Sequence, residues 1–454
     1  MPAAPRFPTA QRLAAALLAV VIVSTMGPAP RAVSAGPAGL TVHRLPNGLR
    51  VVVKDTPGSG LVAAALLVGA APRFEDPDQA GISVLVREVA LQGTASRTAE
   101  QIGGALEGVG GSLRALTSVD NTQWVTLTRA QHVDGALELI ADLVTQATFA
   151  PGVIEAQRRI SLSRLRQQQD SPSSRAVEIS LSSLYRLHPY GTPILGTAES
   201  LARLTRDQLV AYYQTYYTAP NMVLAIAGDL RAPVALARAA RAFVALRATP
   251  VPRRVRLLRV VEPALTPRLS ESLELREAQR TAAAWIAISY VGVRFGHRDW
   301  AALQVLATIL GSGSSSRLFL EIRDRQGLVY SIGGGFGTRA AAAPVLFTAG
   351  TDPANAPRVV QGMLDEITRL RATPASPEEL ARGRSRVVGL LSIDQEDLRQ
   401  QAFYAAWYEL LGVGPSFPAR LADELGRVTA ADVQRVARLY LGAATIAVVH
   451  PPDR

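Results

Sequence analysis

The chain is predicted to be α+β: two tandem homologous domains, each a mostly antiparallel sheet with helices packed on one face. Three observations carry this. Strand-like runs arrive in clusters with helical periodicities between them, the arrangement of sheets whose helices are segregated to a face. The ending LTRDQLVAYYQTYYTAPNMVLAIAGD, a capped helix, a Pro-Asn turn and an apolar strand, returns at the C-terminus as VTAADVQRVARLYLGAATIAVVHP. With 454 residues, 48% apolar and 19% charged, the chain can bury a large core and carries no disorder signature. Length alone suggests roughly three domains. The repetition favours two, over 36–250 and 251–454.

The elements follow in order. Arg6 and Arg12 precede an apolar run at 13–23 that is too short to span a bilayer, which takes about 20 residues. Gly27 and Pro28 break it, and Val33-Ser34-Ala35 offers a small-residue cleavage site. Residues 1–35 are therefore expected to be a signal peptide, with the mature chain periplasmic or secreted; an uncleaved anchor is the alternative. No later segment is apolar enough over enough length to span a membrane. LTVHRLPNGLRVVVKD forms a strand pair around Asn47-Gly48, a dipeptide suited to positive φ. GLVAAALLVGA supplies the next strand, helical patterns cover 79–91, 98–109, 134–148 and 152–169, and strands fall near 113–118 and 123–128. Thr205 and Thr429 are matching N-caps, and Tyr216 and Tyr440 occupy matching helix positions. In the second half the strand AAAWIAISYVGV precedes a helix at 300–310, as GLVAAALLVGA precedes 79–91. TPVPRRVRLLRVVEPALTPR, rich in Pro and Arg, joins the halves as a solvated connection.

Composition excludes several chemistries. Cysteine is absent, which removes disulfides, thiolate metal sites and Cys nucleophiles. The net charge of +11 comes almost wholly from Arg, Lys54 being the sole lysine. Those Arg residues are spread along helices without interleaved aromatics, so solvated faces explain them better than nucleic acid does. GSGSSS ahead of Arg317 lacks the Lys of a phosphate loop and is expected to cap a helix. His188, between helix and Pro-Tyr-Gly, is expected to hold backbone in a loop.

GISVLVREVALQGT at 81–94 has the outline of a zinc-peptidase helix. Such a helix needs two His one turn apart for the metal and a Glu to activate water. Here Val84, Arg87 and Glu88 share that face. Val has no lone pair to offer, and a cationic Arg repels the metal. Together with VHRLPNGLRVVV, HPYGTPILGT, NMVLAIAGDL and GSGSSSRLFLEIRDRQGLVYSI, this stretch resembles the M16 zinc peptidases, the pitrilysin and mitochondrial-processing-peptidase-like family, over nearly the whole mature chain.

The resemblance implies an M16 metallohydrolase-like fold and supplies the roles. The family's HxxEH falls on Val84, Arg87 and Glu88, and its further Glu ligand on Arg164, so this chain is expected to hold no metal. Glu88 and Arg164 are expected to pair directly, tying two helices that zinc would otherwise tie. The second half keeps Arg323 and Tyr330 where the family directs an Arg and a Tyr at substrate, donors suited to a peptide carbonyl and the oxyanion that grows on it. Their spacing fits a helix end, a turn at Gly327 and a strand. The implied function is that of a non-catalytic subunit, inactive alone, of an exported heterodimeric zinc peptidase. A partner retaining HxxEH would supply Zn²⁺, and peptides or unfolded polypeptides would be cleaved as an added strand. A peptide-binding scaffold with no catalytic partner is the alternative.

Overall fold

The computed structural model describes residues 39–186, 188–251 and 269–452. The expected signal peptide and most of the Pro- and Arg-rich connection lie outside those residues.

The first sheet is built from β1 (Leu40–Arg44), β2 (Arg50–Asp55), β3 (Leu61–Val68), β4 (Ser112–Thr117), β5 (Thr122–Arg129) and β6 (Met222–Gly228). Its spatial order is β1-β2-β6-β3-β5-β4. Every neighbouring pair is antiparallel except β2 and β6. The second sheet holds β7 (Leu273–Ala278), β8 (Ala284–Val291), β9 (Val329–Phe336), β10 (Pro344–Thr351) and β11 (Thr445–His450). Its order, β7-β11-β8-β10-β9, repeats the first sheet without β1, and again only the pair nearest that edge, β7 with β11, is parallel. Identical order and sense in both sheets is what a duplicated unit produces.

Helices follow the sheets in each half. The first has α1 (Ile82–Ala90), α2 (Ala99–Glu107), α3 (Val133–Thr145), α4 (Pro151–Gln169), α5 (Pro172–Tyr185), α6 (Ala198–Arg203), α7 (Arg206–Tyr216) and α8 (Ala232–Ala242). The second has α9 (Trp300–Gly311), a π-helical turn over Phe319–Arg325, then α10 (Ala356–Ala372), α11 (Pro377–Asp394), α12 (Leu398–Leu411), α13 (Phe417–Arg427) and α14 (Ala430–Tyr440).

Alternation along the strands decides what each face receives. In β3, Val62, Ala64, Leu66 and Val68 pack with α1, α3 and α7 of their own half, while Ala63, Ala65 and Leu67 face the core that contains Ala402, Ala405 and Ala406 of α12. Short alanine side chains on that face admit a helix at close range. The second sheet returns the arrangement: Ala287, Ala447 and Val449 pack with Ala176 of α5, and the Ser180 and Ser289 hydroxyls meet at 2.6 Å. Each sheet thus has helices of its own half on one face and a single helix donated by the other half on the opposite face. Burial on both faces accounts for the unbroken apolar runs of β3 and β6.

The matched ends work alike. The Thr205 and Thr429 hydroxyls accept from the N–H groups of Gln208 and Asp432, in capping boxes that start α7 and α14. The Tyr216 hydroxyl donates to the Phe74 carbonyl at 3.2 Å and that of Tyr440 to Asp299 at 2.7 Å, tying α7 and α14 to the segments ahead of α1 and α9. At the start of α1, Gly81 has φ of +89° and faces Gly196, φ +79°. A Cβ on Gly81 would stand 2.5 Å from the Leu195 carbonyl oxygen, so this close approach requires glycine.

Candidate functional site

Glu75 sets α1 in place. Its carboxylate accepts the N–H groups of Gly81 at 2.7 Å and Ser83 at 2.9 Å, and the Ser83 hydroxyl as well, so a buried acid caps the helix from outside it. Burial pushes this carboxyl up to about 7 against the pull of those donors. The stripe Ile82, Leu85, Val86 and Val89 packs into the core.

The face where the metal motif falls carries no metal chemistry. Val84 is 3% exposed and apolar. Arg87 donates through Nη1 to the Ala115 carbonyl in β4 at 2.7 Å and through Nη2 to Glu88 Oε1 at 2.8 Å. Glu88 Oε1 also accepts from Arg164 Nη1 of α4. One carboxylate oxygen thus lies between two guanidinium groups, and α1 and α4 are joined by an Arg–carboxylate contact. Burial draws the Arg87 pKa down, with Glu88 opposing. Two cations and a valine around one engaged carboxylate do not fit a zinc ion. Among the described residues no group of three or more His, Asp or Glu is placed to hold a metal.

In the second half the Arg and Tyr are presented outward. The π-helical turn ends at Gly327, φ +63°, whose N–H returns to the Arg323 carbonyl at 3.1 Å, and the Leu328 N–H returns to Ile322 at 3.0 Å. Buried Ile322, Leu328 and Val329 anchor the turn, and the Thr351 hydroxyl holds the Leu328 carbonyl. The Arg323 and Tyr330 side chains point away from that anchor. Arg323 is exposed, its guanidinium 5.0 Å from the centre of the Phe319 ring, and Tyr330 is 64% exposed at the start of β9. Among the described residues neither side chain makes a hydrogen bond or ion pair.

His188 accepts the Tyr190 N–H on Nδ1 at 3.1 Å, a backbone-holding position in the loop. In the GSGSSS run, Ser316 donates its hydroxyl to the Gly313 carbonyl at 2.7 Å, closing the turn before the helix. The sequence reading did not find the polar hub around Asp120. That buried carboxylate accepts the Tyr190 hydroxyl at 2.5 Å and the Ala340 N–H at 3.1 Å, with Arg73 at 3.5 Å, while the Tyr190 hydroxyl accepts the Ala341 N–H at 3.0 Å. Burial pushes the Asp120 carboxyl up and Arg73 opposes it. Four separate stretches of chain meet there, so no local pattern could mark it.

Known proteins are similar to this chain over most of its length. The family described as Peptidase M16 inactive domain matches residues 203–387, and that described as Insulinase (Peptidase family M16) matches 50–198. A protein of Mycobacterium tuberculosis strain H37Rv named as a zinc protease is 31% identical over 368 residues, covering 76% of this chain and 79% of that one. One from Rickettsia felis, also named a zinc protease, is 26% identical over 419 residues, 91% of this chain and 98% of its own. Among solved structures, a peptidase M16 inactive domain from Pseudomonas fluorescens superimposes with a TM-score of 0.83 at 19% identity, covering 91% of this chain and 98% of that chain. A protease from Helicobacter pylori gives 0.83 at 20%, covering 91% and 99%.

Proposed function

Because this chain belongs to the M16 peptidase family, we propose that it is the non-catalytic subunit of an exported heterodimeric zinc peptidase. The observation that carries the reading is a contrast within one molecule. The face that would hold the metal is filled by the Arg87–Glu88–Arg164 network, whereas Arg323 and Tyr330 stand exposed with no hydrogen-bond or ion-pair partner among the described residues. This ion-pair network, buried at Arg87 and open to solvent at Arg164, joins α1 to α4 and gives hydrolysis nothing. Exposed donors on a rigid turn are what a partner's bound substrate can use.

In this reading the partner is an M16-type chain with an intact HxxEH motif, and the metal and attacking water belong to it. This chain closes over the partner's site. Arg323 orients the peptide through its carbonyl, and the Tyr330 hydroxyl donates to the oxygen that gains charge. Preorganisation favours both roles: Phe319 holds the guanidinium plane, and Gly327 with the Leu328 carbonyl contact fixes where β9 begins. Short or unfolded polypeptides are the substrates proposed. Export rests on the N-terminal sequence, with its Arg-flanked apolar run and Val33-Ser34-Ala35.

The test begins with the purified chain. It is expected to bind no stoichiometric zinc by elemental analysis and to leave a fluorogenic peptide library uncleaved. Chelator-sensitive hydrolysis by this chain alone would contradict the proposal.

A further inference from the structure

Arg323 is presented by a winding that seldom occurs in helices. Its helix opens at Arg317 and passes into the π-helical run Phe319–Arg325. Such runs are rare, appear mostly as single turns, and recur at functional sites. Where Arg323 comes to lie is therefore decided by what holds the run at each end and in its middle. At the far end the Gly327 and Leu328 N–H groups return to the Arg323 and Ile322 carbonyls. In the middle Ile322 is fully buried beside Gly362 of α10, where a Cβ would lie 3.5 Å from Ile322 Cδ1. At the start Arg317 donates through Nε and Nη2 to Glu379 Oε1 and Oε2 of α11 at 2.7 and 2.8 Å, a parallel two-point pair. Glu379 is itself fixed, since its Oε2 accepts the Ser376 N–H at 2.9 Å in the capping box that starts α11.

A hollow of about 310 Å³ lies between this run, α10 and α11, and three ion pairs line it. Glu321 with Arg325 closes the run on itself, and Glu366 with Arg369 lies within α10. Of the three, the pair of Arg317 with Glu379 is the one that joins the run to another helix. Its two side chains are 14% and 22% exposed, against 70% for Arg325 and 57% for Arg369, so solvent screens it least at the cation. Tyr330 is held by other means: the pairing of β9 with β10, and the Thr351 hydroxyl on the Leu328 carbonyl.

We propose that Arg317 is a positioning residue for Arg323. Its fork on Glu379 sets the direction in which the helix leaves the GSGSSS loop, and that direction decides where the Arg323 guanidinium meets a polypeptide. Placement of this kind is worth much: a shift of about 1 Å can cost a factor of about 10² in rate with the reacting groups untouched. A lysine keeps the charge but has no planar fork to match both carboxylate oxygens, so Arg317→Lys separates placement from charge. The inference rests on the role proposed above for Arg323.

Two measurements test it. On the chain alone, hydrogen exchange read by mass spectrometry is expected to quicken about tenfold across 319–328 in Arg317→Lys, while exchange across 331–336 stays as in the wild type. Rates of peptide cleavage with an HxxEH-bearing M16 subunit then form a double-mutant cycle. Arg317→Lys should lower kcat/KM about tenfold in the wild-type background and less than about twofold once Arg323 is replaced by alanine, because a residue that acts through Arg323 then has nothing to place. Glu379→Gln, which keeps the cap on α11, should behave as Arg317→Lys does. Unchanged exchange across 319–328, or equal losses of rate in both backgrounds, overturns the inference and leaves the role of Arg323 standing. A pair that does not cleave, or a rate that Arg323→Ala does not lower, removes that role and the inference with it.

Discussion

Single residues carry the division between what this chain keeps and what it lacks. In a complex with an HxxEH-bearing partner, Tyr330→Phe is expected to lower turnover by about 10²–10³, the usual loss for one oxyanion donor, while gel filtration shows assembly intact. Arg164→Ala is expected to matter little. Its side chain is 49% exposed and Glu88 keeps its bond from Arg87, so urea unfolding should shift by about 0.2–1 kcal/mol. Glu75 gives a pH dependence of defined sign. Its pKa rises on folding from 4.5 to about 7, so the native state retains a proton that the unfolded chain has released across that interval. This contribution to stability is complete below about pH 4.5 and is lost as pH rises through about 7. Thermal melts between those values should show the decline in the wild type and a flatter profile in Glu75→Gln. The contact between Glu88 and Arg164 was legible in the sequence because both residues stand at positions of the family motif that the chain resembles. The role of Glu75 was not, since a cap contributed from outside the helix leaves no S/T-x-x-E signature.

At the scale of elements, legibility followed the local signal. The strand pair at Asn47-Gly48, helix α1 and the turn at Gly327 each have a local signature: turn chemistry, an apolar stripe, or a left-handed glycine after a helix. Helix α5 has none. Of its buried residues, Ala176, Ser180, Leu184 and Tyr185, the first two are small, fit close against Ala287 and Ser289, and leave only a weak apolar stripe to read. The Asp120 hub is invisible for a different reason, being assembled from loops far apart in the chain. It is also where one loop of the first half is fixed to the β9–β10 connection of the second. Asp120→Ala strips the Tyr190 hydroxyl and the Ala340 N–H of their acceptor and leaves the buried Arg73 beside them without this carboxylate. The expected cost is about 3–5 kcal/mol in urea unfolding. A shift below about 1 kcal/mol would mean that the hub does not hold these loops together.

The whole molecule is two repeats locked by exchange. Because α12 covers the first sheet and α5 the second, neither sheet keeps both faces buried unless the other half is present. Direct bonds reinforce the exchange: Arg175 grips Glu277 with two contacts of 2.8 Å, and Arg50 donates to the Glu409 carbonyl at 2.9 Å. Urea unfolding of the described body is therefore expected to follow one transition, superimposable by far-ultraviolet circular dichroism and tryptophan fluorescence. Two separated transitions would show halves that fold independently. Such a lock suits the proposed role, in which Arg323 and Tyr330 are presented at a fixed place to another chain. The most direct measurement is reconstitution with an HxxEH-bearing M16 subunit, comparing wild type with the Arg323→Ala, Tyr330→Phe double variant for cleavage of an unfolded polypeptide. The account predicts that the wild-type chain enables cleavage and that the double variant assembles but does not. Equal rates from both, or full activity of the partner with this chain left out, would contradict it.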